Sequence, residues 1–439
     1  MTQTDPLYLT GHLAPVPDET EAFDLPVTGA LPAELDGRFL RNGPNPLPGE
    51  HPGHWFTGHG MLHGVRLRGG RAAWYRNRWV RTAKFAGDAP PGGRDLAYNS
   101  ANTHVIEHGG ALLALCEGGL PYRMTGELDT LGPYDFAGRL TTAMTAHPKA
   151  DPVTGELLFY GYSTAAPYLT FHVADAAGRL VRSEPIDVPG PTMMHDFAIT
   201  EHHVLWLDLP VVYDAGRPGM PYAWDDAYGA RIGVMPRAGG AVRWIEVDPC
   251  YVFHVGNARE DSDGTIRLDA VRYRPAGFIG AWHGMGADTG AGARVRHTTE
   301  SERGTLHRWT IDPAAGTVRE QQLDDRDVEF PTLFDAFVGR PNRYLYTMGG
   351  PGLVKYDAQG DTATEYVAGP GDHLGEPVFV PARGTRLEDD GWLLTIATPG
   401  DGSASRLLVL DATDLSDVAA VHLPRRVPAG FHGSWIEER

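Results

Sequence analysis

The sequence predicts an all-β fold, and three observations lead there. Apolar residues make up 42% of the 439, enough for a core, yet they come in short runs rich in β-branched, aromatic and leucine residues. The 55 glycines and 35 prolines are spread between those runs instead of gathering into linkers, the mark of many closely spaced turns. Helical periodicity of useful length is scarce.

Strands are expected over residues 112–115, 157–162, 204–209, 265–273, 343–348, 392–396 and 406–410. Between such runs one turn recurs with variation: DPVTG at 151–155, DAAG at 175–178, DPAAG at 312–316 and DAQG at 357–360. Asp and Pro set up the turn and Gly supplies a positive φ, so each reads as the tip of an antiparallel hairpin. Hairpins at many points along the chain point to a β-propeller, whose blades are meanders of about four strands around an axis. A large sandwich or a β-helix fits the same pattern, and the repeat is too degenerate to give a blade number. No composition shift marks a boundary, so residues 1–439 are read as a single domain.

Charge and cysteine content narrow the function classes. A net charge of -18 leaves no basic field for phosphate and argues against nucleic acid as a partner. Cys116 and Cys250 lie far apart, which offers neither a disulfide framework nor a paired-cysteine metal site and fits a reducing cytoplasm. The N-terminal segment is polar and acidic, unlike a signal peptide. No apolar run is long enough to span a membrane, the best segment, 204–213, being broken by Asp208 and Pro210. Any membrane contact is therefore expected to be peripheral.

Most of the 19 histidines are read as solvated, capping or satisfied in the core, among them His104, His108, His172, His202, His203, His297, His307, His373 and His422. Four sit differently. His147 lies in TAHPK, His195 in MMHDF, His254 in YVFHVGN and His432 in GFHGSW, each among apolar or small residues. Separated by tens of residues, they converge only if strands from different blades meet on one axis. Four imidazoles suit Zn, Cu, Fe or Ni and do not name the metal. A ligating imidazole usually donates its other N–H to a carboxylate or carbonyl. Glu117 in CEGGLP, Glu329 in VEFP and Glu376 in GEPVF are candidates, although spacing alone favours a buried hydrogen bond to a turn backbone for each.

Taken in order, these segments resemble the carotenoid cleavage oxygenases, a family that includes apocarotenoid oxygenases, retinoid isomerohydrolases and lignostilbene dioxygenases. The likeness begins at LPAELDGRFLRNGPNP (31–46), runs through GMLHG (60–64), NTH (102–104) and the histidine and glutamate segments, and closes at LPRRVPAGFHGSW (423–435). It implies a seven-bladed propeller with a loop and short-helix dome over one face. It further implies Fe(2+) on the axis held by His147, His195, His254 and His432, with Glu117, Glu329 and Glu376 behind them, and a lipophilic tunnel leading to the metal. Two departures stand out. The family's GDGM turn reads GHGM, with His59 in place of the aspartate, and Cys116 occupies the position where stilbene-cleaving members carry a lysine.

The resemblance therefore implies a non-haem iron dioxygenase that cleaves a conjugated carbon–carbon double bond of a carotenoid or apocarotenoid with O2, giving two carbonyl products. No general base is required, and the choice of bond is left to tunnel walls such as Phe253, Phe334 or Trp282. Two alternatives are cleavage of a stilbene or vinyl phenol, which Cys116 disfavours because a thiol gives no cationic contact, and a noncatalytic propeller serving as a binding module.

Overall fold

The computed structural model describes residues 6–90, 95–217, 220–286 and 304–438. Seven sheets of four to six antiparallel strands make seven propeller blades, and a two-stranded ribbon, Val211–Tyr213 with Tyr222–Trp224, stands apart from them. Two pairings close the ring. The last strand, Gly433–Glu437, pairs with Gly37–Pro44 from the beginning of the chain. Val27–Gly29 in turn adds to Asp417–His422 in the preceding blade. Closure hides the strand edges that an open sheet of this length would expose.

The expected strands fall where the apolar runs placed them. Residues 157–162 match a strand residue for residue, and the others agree to within one or two residues except 392–396, which lies inside the longer strand Gly391–Pro399. All four Asp-led turns are hairpin tips. In each, the leading aspartate accepts backbone N–H donors through its side chain, as Asp175 Oδ1 does from Ala177 and Arg179 at 3.1 and 2.9 Å. Gly155, Gly178 and Gly316 take positive φ, as expected. The fourth turn departs from expectation: Asp361, not Gly360, carries the left-handed conformation, at φ 50°. A short aspartate side chain tolerates that region, so one extra residue moves the chain reversal past the glycine.

The core sits between the blades. Trp206, fully buried, stacks on Phe197 at 5.6 Å between centroids and meets Phe171 and Tyr160 edge-on. Trp206→Ala is expected to cost about 3–5 kcal/mol, read as a lowered midpoint in chemical denaturation. Helices are few among the described residues: Ala83–Ala86 and Pro275–Gly284, with short 3-10 turns such as Trp55–Thr57. These, with the ribbon, form the dome over one face, where Trp282 Nε1 donates to Tyr222 O at 3.1 Å. No helix among the described residues is long and apolar enough to cross a membrane.

Candidate metal centre

Four histidines reach the propeller axis from the innermost strands of four blades. His147 precedes Lys149–Ala150, His195 precedes Phe197–Ile199, His432 precedes Gly433–Glu437, and His254 lies within Tyr251–Glu260. The first three sit on the entry to a strand, where the chain comes off the propeller face onto the axis. His254 needs another device, because a regular strand alternates its side chains. The register between Tyr251–Glu260 and its neighbour slips between Val252 and Val255, and this bulge turns His254 toward the axis.

The result is a compact imidazole cluster. One nitrogen from each of His147, His195 and His254 lies within 4.8 Å of the other two. His147 Nε2 and His195 Nε2 are 3.1 Å apart. The His432 ring stands 4.6 Å from that of His147 and 4.8 Å from that of His254. All four are buried or nearly so.

Three of the rings turn their Nδ1 to a carboxylate and so aim Nε2 inward. Glu117 Oε1 lies 2.5 Å from His195 Nδ1. His254 Nδ1 is 2.5 Å from Glu329 Oε2, and His432 Nδ1 is 2.9 Å from Glu376 Oε1. Each carboxylate is held in turn. Tyr162 donates to Glu117 at 2.8 Å and Tyr273 to Glu329 at 2.9 Å, while the backbone N–H groups of Phe330 and Gly433 donate to Glu329 and Glu376 at 2.6 and 2.7 Å. Among the described residues no carboxylate pairs with His147 Nδ1, and Glu117 Oε1 lies 3.9 Å from its Nε2.

Electrostatics keep most of the cluster neutral. Burial, then the neighbouring histidines, hold His147 well below the usual imidazole range, and burial with His195 beside it brings His254 to about 3. Burial also lowers His432 against the pull of Glu376. His195 moves the other way: burial opposes its charge, but Glu117, with Asp196 and Glu329 adding to it, outweighs burial. Burial lifts Glu329 to about 7. Neutral imidazoles offer lone pairs, and His254 Nε2 is buried with no hydrogen-bond partner among the described residues. Leaving such a group unsatisfied costs about 1–3 kcal/mol, and a metal ion shared with its three neighbours would relieve it. The donor set fits a transition metal.

Glu329 also sits in a bulge, where its strand's register slips between Glu329 and Thr332. The next residue, Phe330, takes φ 52° and lays its ring against His254 at 4.7 Å and His432 at 5.3 Å. A bulky residue in the left-handed region is strained, which marks a position the surroundings enforce.

Two cavities meet at the cluster. One, of about 410 Å³ under the dome, is walled by aromatics including Trp55, Phe56, Tyr222, Phe253 and Phe431 and reaches His195, His254 and His432. The other, of about 510 Å³, reaches His147, His254 and His432 and is bordered by Leu333 and Phe334. Phe253 and Phe334 thus stand on different walls. Trp282 is buried behind the first wall, stacked on Phe278 at 5.5 Å, and does not line either cavity.

Several of the histidines expected to be structural have ordinary partners. His172 lies between Thr142 and Ser183, at 2.8 Å from each, and His203 Nδ1 is 3.0 Å from Glu260. His104 comes within 5.1 Å of His432, but its Nδ1 is taken up by Ala146 O at 2.9 Å. His59 Nε2 pairs with Glu50 at 3.2 Å. His297 lies outside the described residues. Tyr162, Tyr273 and Phe330 escaped the sequence reading. The two tyrosines lie 45 and 56 residues from the glutamates they serve, so no local pattern connects them.

Residues 13–437 match the family model described as retinal pigment epithelial membrane protein. The carotenoid cleavage oxygenase of Mycobacterium tuberculosis is 40% identical, with 98% of this chain and 97% of that protein aligned. This chain belongs to the carotenoid cleavage oxygenase family. The apocarotenoid-15,15'-oxygenase of Synechocystis is 33% identical over 96% of this chain and 94% of its own. A cobalt-substituted crystal structure of the Synechocystis apocarotenoid oxygenase superposes with a TM-score of 0.84 at 30% identity, covering 97% of both chains. Seven blades, a dome and a metal centre of clustered histidines are therefore features of a family fold, and the chain is a dioxygenase by that membership.

Proposed function

We propose that this oxygenase holds Fe(2+) through His147, His195, His254 and His432, with Glu117, Glu329 and Glu376 orienting three of them. It cleaves a conjugated C=C bond of a carotenoid or apocarotenoid with O2 to two carbonyl products. The observation that carries the proposal is the buried imidazole cluster opening onto an aromatic cavity of about 410 Å³. Its activity resides in one domain spanning residues 1–439.

Ferrous iron, when bound, supplies the electrons that make O2 reactive toward a neutral alkene. The protein's own residues do the rest. The four histidines would hold the ion through neutral nitrogens alone, so the ligands would leave its charge uncompensated. Glu117, Glu329 and Glu376 fix the orientation of three of the rings, so their Nε2 atoms turn toward one another at the edge of the cavity. Phe56, Phe253 and Phe431 present apolar faces that bury a polyene and exclude water, and their shape selects which bond lies beside the metal. No side chain need move a proton in the cleavage, and the two carboxylates described on this wall are already engaged, Glu117 with Tyr162 and His195 and Glu329 with Tyr273 and His254. Cys116 and Cys250 are unpaired, which fits a reducing cytoplasm.

Anaerobic reconstitution with Fe(2+), followed by 18O2 and a panel of polyenes and phenolic alkenes, tests the reading. The expected result is about one iron per chain and two labelled carbonyl fragments from a carotenoid or apocarotenoid. Turnover of stilbenes alone would move the substrate class, and absence of iron and of O2 uptake would leave only a binding module.

A further inference from the structure

The aromatic cavity has one lysine or arginine among the residues described on its wall. Lys84 comes from the short helix Ala83–Ala86 and enters beside Thr57, Ser100 and Cys116. Its Nζ donates to Thr57 O at 2.6 Å and to Ser100 Oγ at 2.9 Å. An ammonium has three donors, so one N–H is left. Among the described residues no carboxylate lies within ion-pair range of it. Glu50, which acts on it electrostatically, pairs with His59 at 3.2 Å. Burial accordingly weakens the hold of Lys84 on its proton. A half-buried cation with no carboxylate in ion-pair range, on a wall it shares with Trp55, Phe56 and Phe431, is costly unless a ligand completes its hydrogen bonds.

We propose that Lys84 Nζ anchors an oxygen at one end of the substrate, so that this cavity takes a conjugated alkene ending in a carbonyl, hydroxyl or carboxylate and disfavours a plain hydrocarbon end. The inference rests on the reading of the cavity as the alkene site. A hydrogen bond from a charged donor is short and strong, and a site built to make one rejects an analogue that lacks the acceptor. With the oxygen held at Lys84, the distance along the chain to the metal also sets which double bond is cut.

Binding to the iron-loaded full chain, kept anaerobic so that no turnover intervenes, separates this inference from the cleavage reading. Three polyenes of equal conjugated length, ending in a methyl group, an aldehyde or a carboxylic acid, are titrated by quenching of tryptophan fluorescence, Trp55 lying on the cavity wall. The wild-type protein is expected to prefer the oxygen-bearing ends by about 10- to 100-fold. Lys84→Met should reduce that ratio to near one with iron content retained, and Lys84→Arg should restore most of it. A Lys84→Met protein that keeps the wild-type ratio, or that loses affinity equally for all three ends, overturns the inference, as does a wild type that binds none of them. A wild type that shows the preference but opens no double bond on admission of air overturns the cleavage reading and leaves the anchor standing.

Discussion

His254→Ala is expected to bring iron content to background and to abolish alkene cleavage while the propeller stays folded. The imidazole sits in a bulge, and the ring is held from both sides by Phe330 and Glu329. Its Nε2 has no hydrogen-bond partner among the described residues. Removing it takes away one of the four proposed donors and leaves the other rings, with the carboxylates of His195 and His432, in place. Circular dichroism should match the wild type, because the blade's strand pairing does not use the side chain. Metal analysis together with O2 uptake checks the prediction, and full iron content in the variant would mean that His254 is a core histidine.

Glu329→Gln carries the second-largest expected effect, a loss of about 10- to 100-fold in iron affinity. Glu329 receives Tyr273 O–H and the Phe330 N–H and faces His254 Nδ1. All three neighbours offer hydrogen, and a carboxylate meets them with two acceptor oxygens. An amide has one oxygen and an N–H2 group, so one neighbour faces a donor in either rotamer and the His254 ring loses its fixed orientation. Tyr273→Phe removes one of the three donors and should have a smaller effect. Competition for Fe(2+) against a chelator measures both, and equal affinity in wild type and Glu329→Gln would show that the carboxylate serves only its own turn.

The two predictions rest on features that differ in how far the sequence discloses them. The strands were legible because each is a short apolar run closed by turn residues, and the Asp-led tips announced the hairpins. The two-residue strand Lys149–Ala150 gave no such signal, being too short to show alternation. Ring closure was also hidden, since pairing of Gly433–Glu437 with Gly37–Pro44 joins opposite ends of the chain. The four histidines stood out by their glycine, proline and apolar neighbours. Which glutamate serves which histidine was not readable, because Glu117 arrives from a loop of one blade and His195 from the inner strand of another. The bulges at His254 and Glu329 left no trace in the sequence either: a register slip depends on the partner strand. Lys84 lies in RTAKFAG, which carries no local signal, and only the packing of its short helix brings it to the cavity wall.

Crystals of the iron-loaded protein, measured at the iron absorption edge, test the central claim most directly. One anomalous peak within bonding distance of Nε2 of His147, His195, His254 and His432, with Glu117, Glu329 and Glu376 behind the rings and not bound to the ion, is the expected result. A peak elsewhere, or one from which any of the four nitrogens stands out of bonding range, would contradict the account.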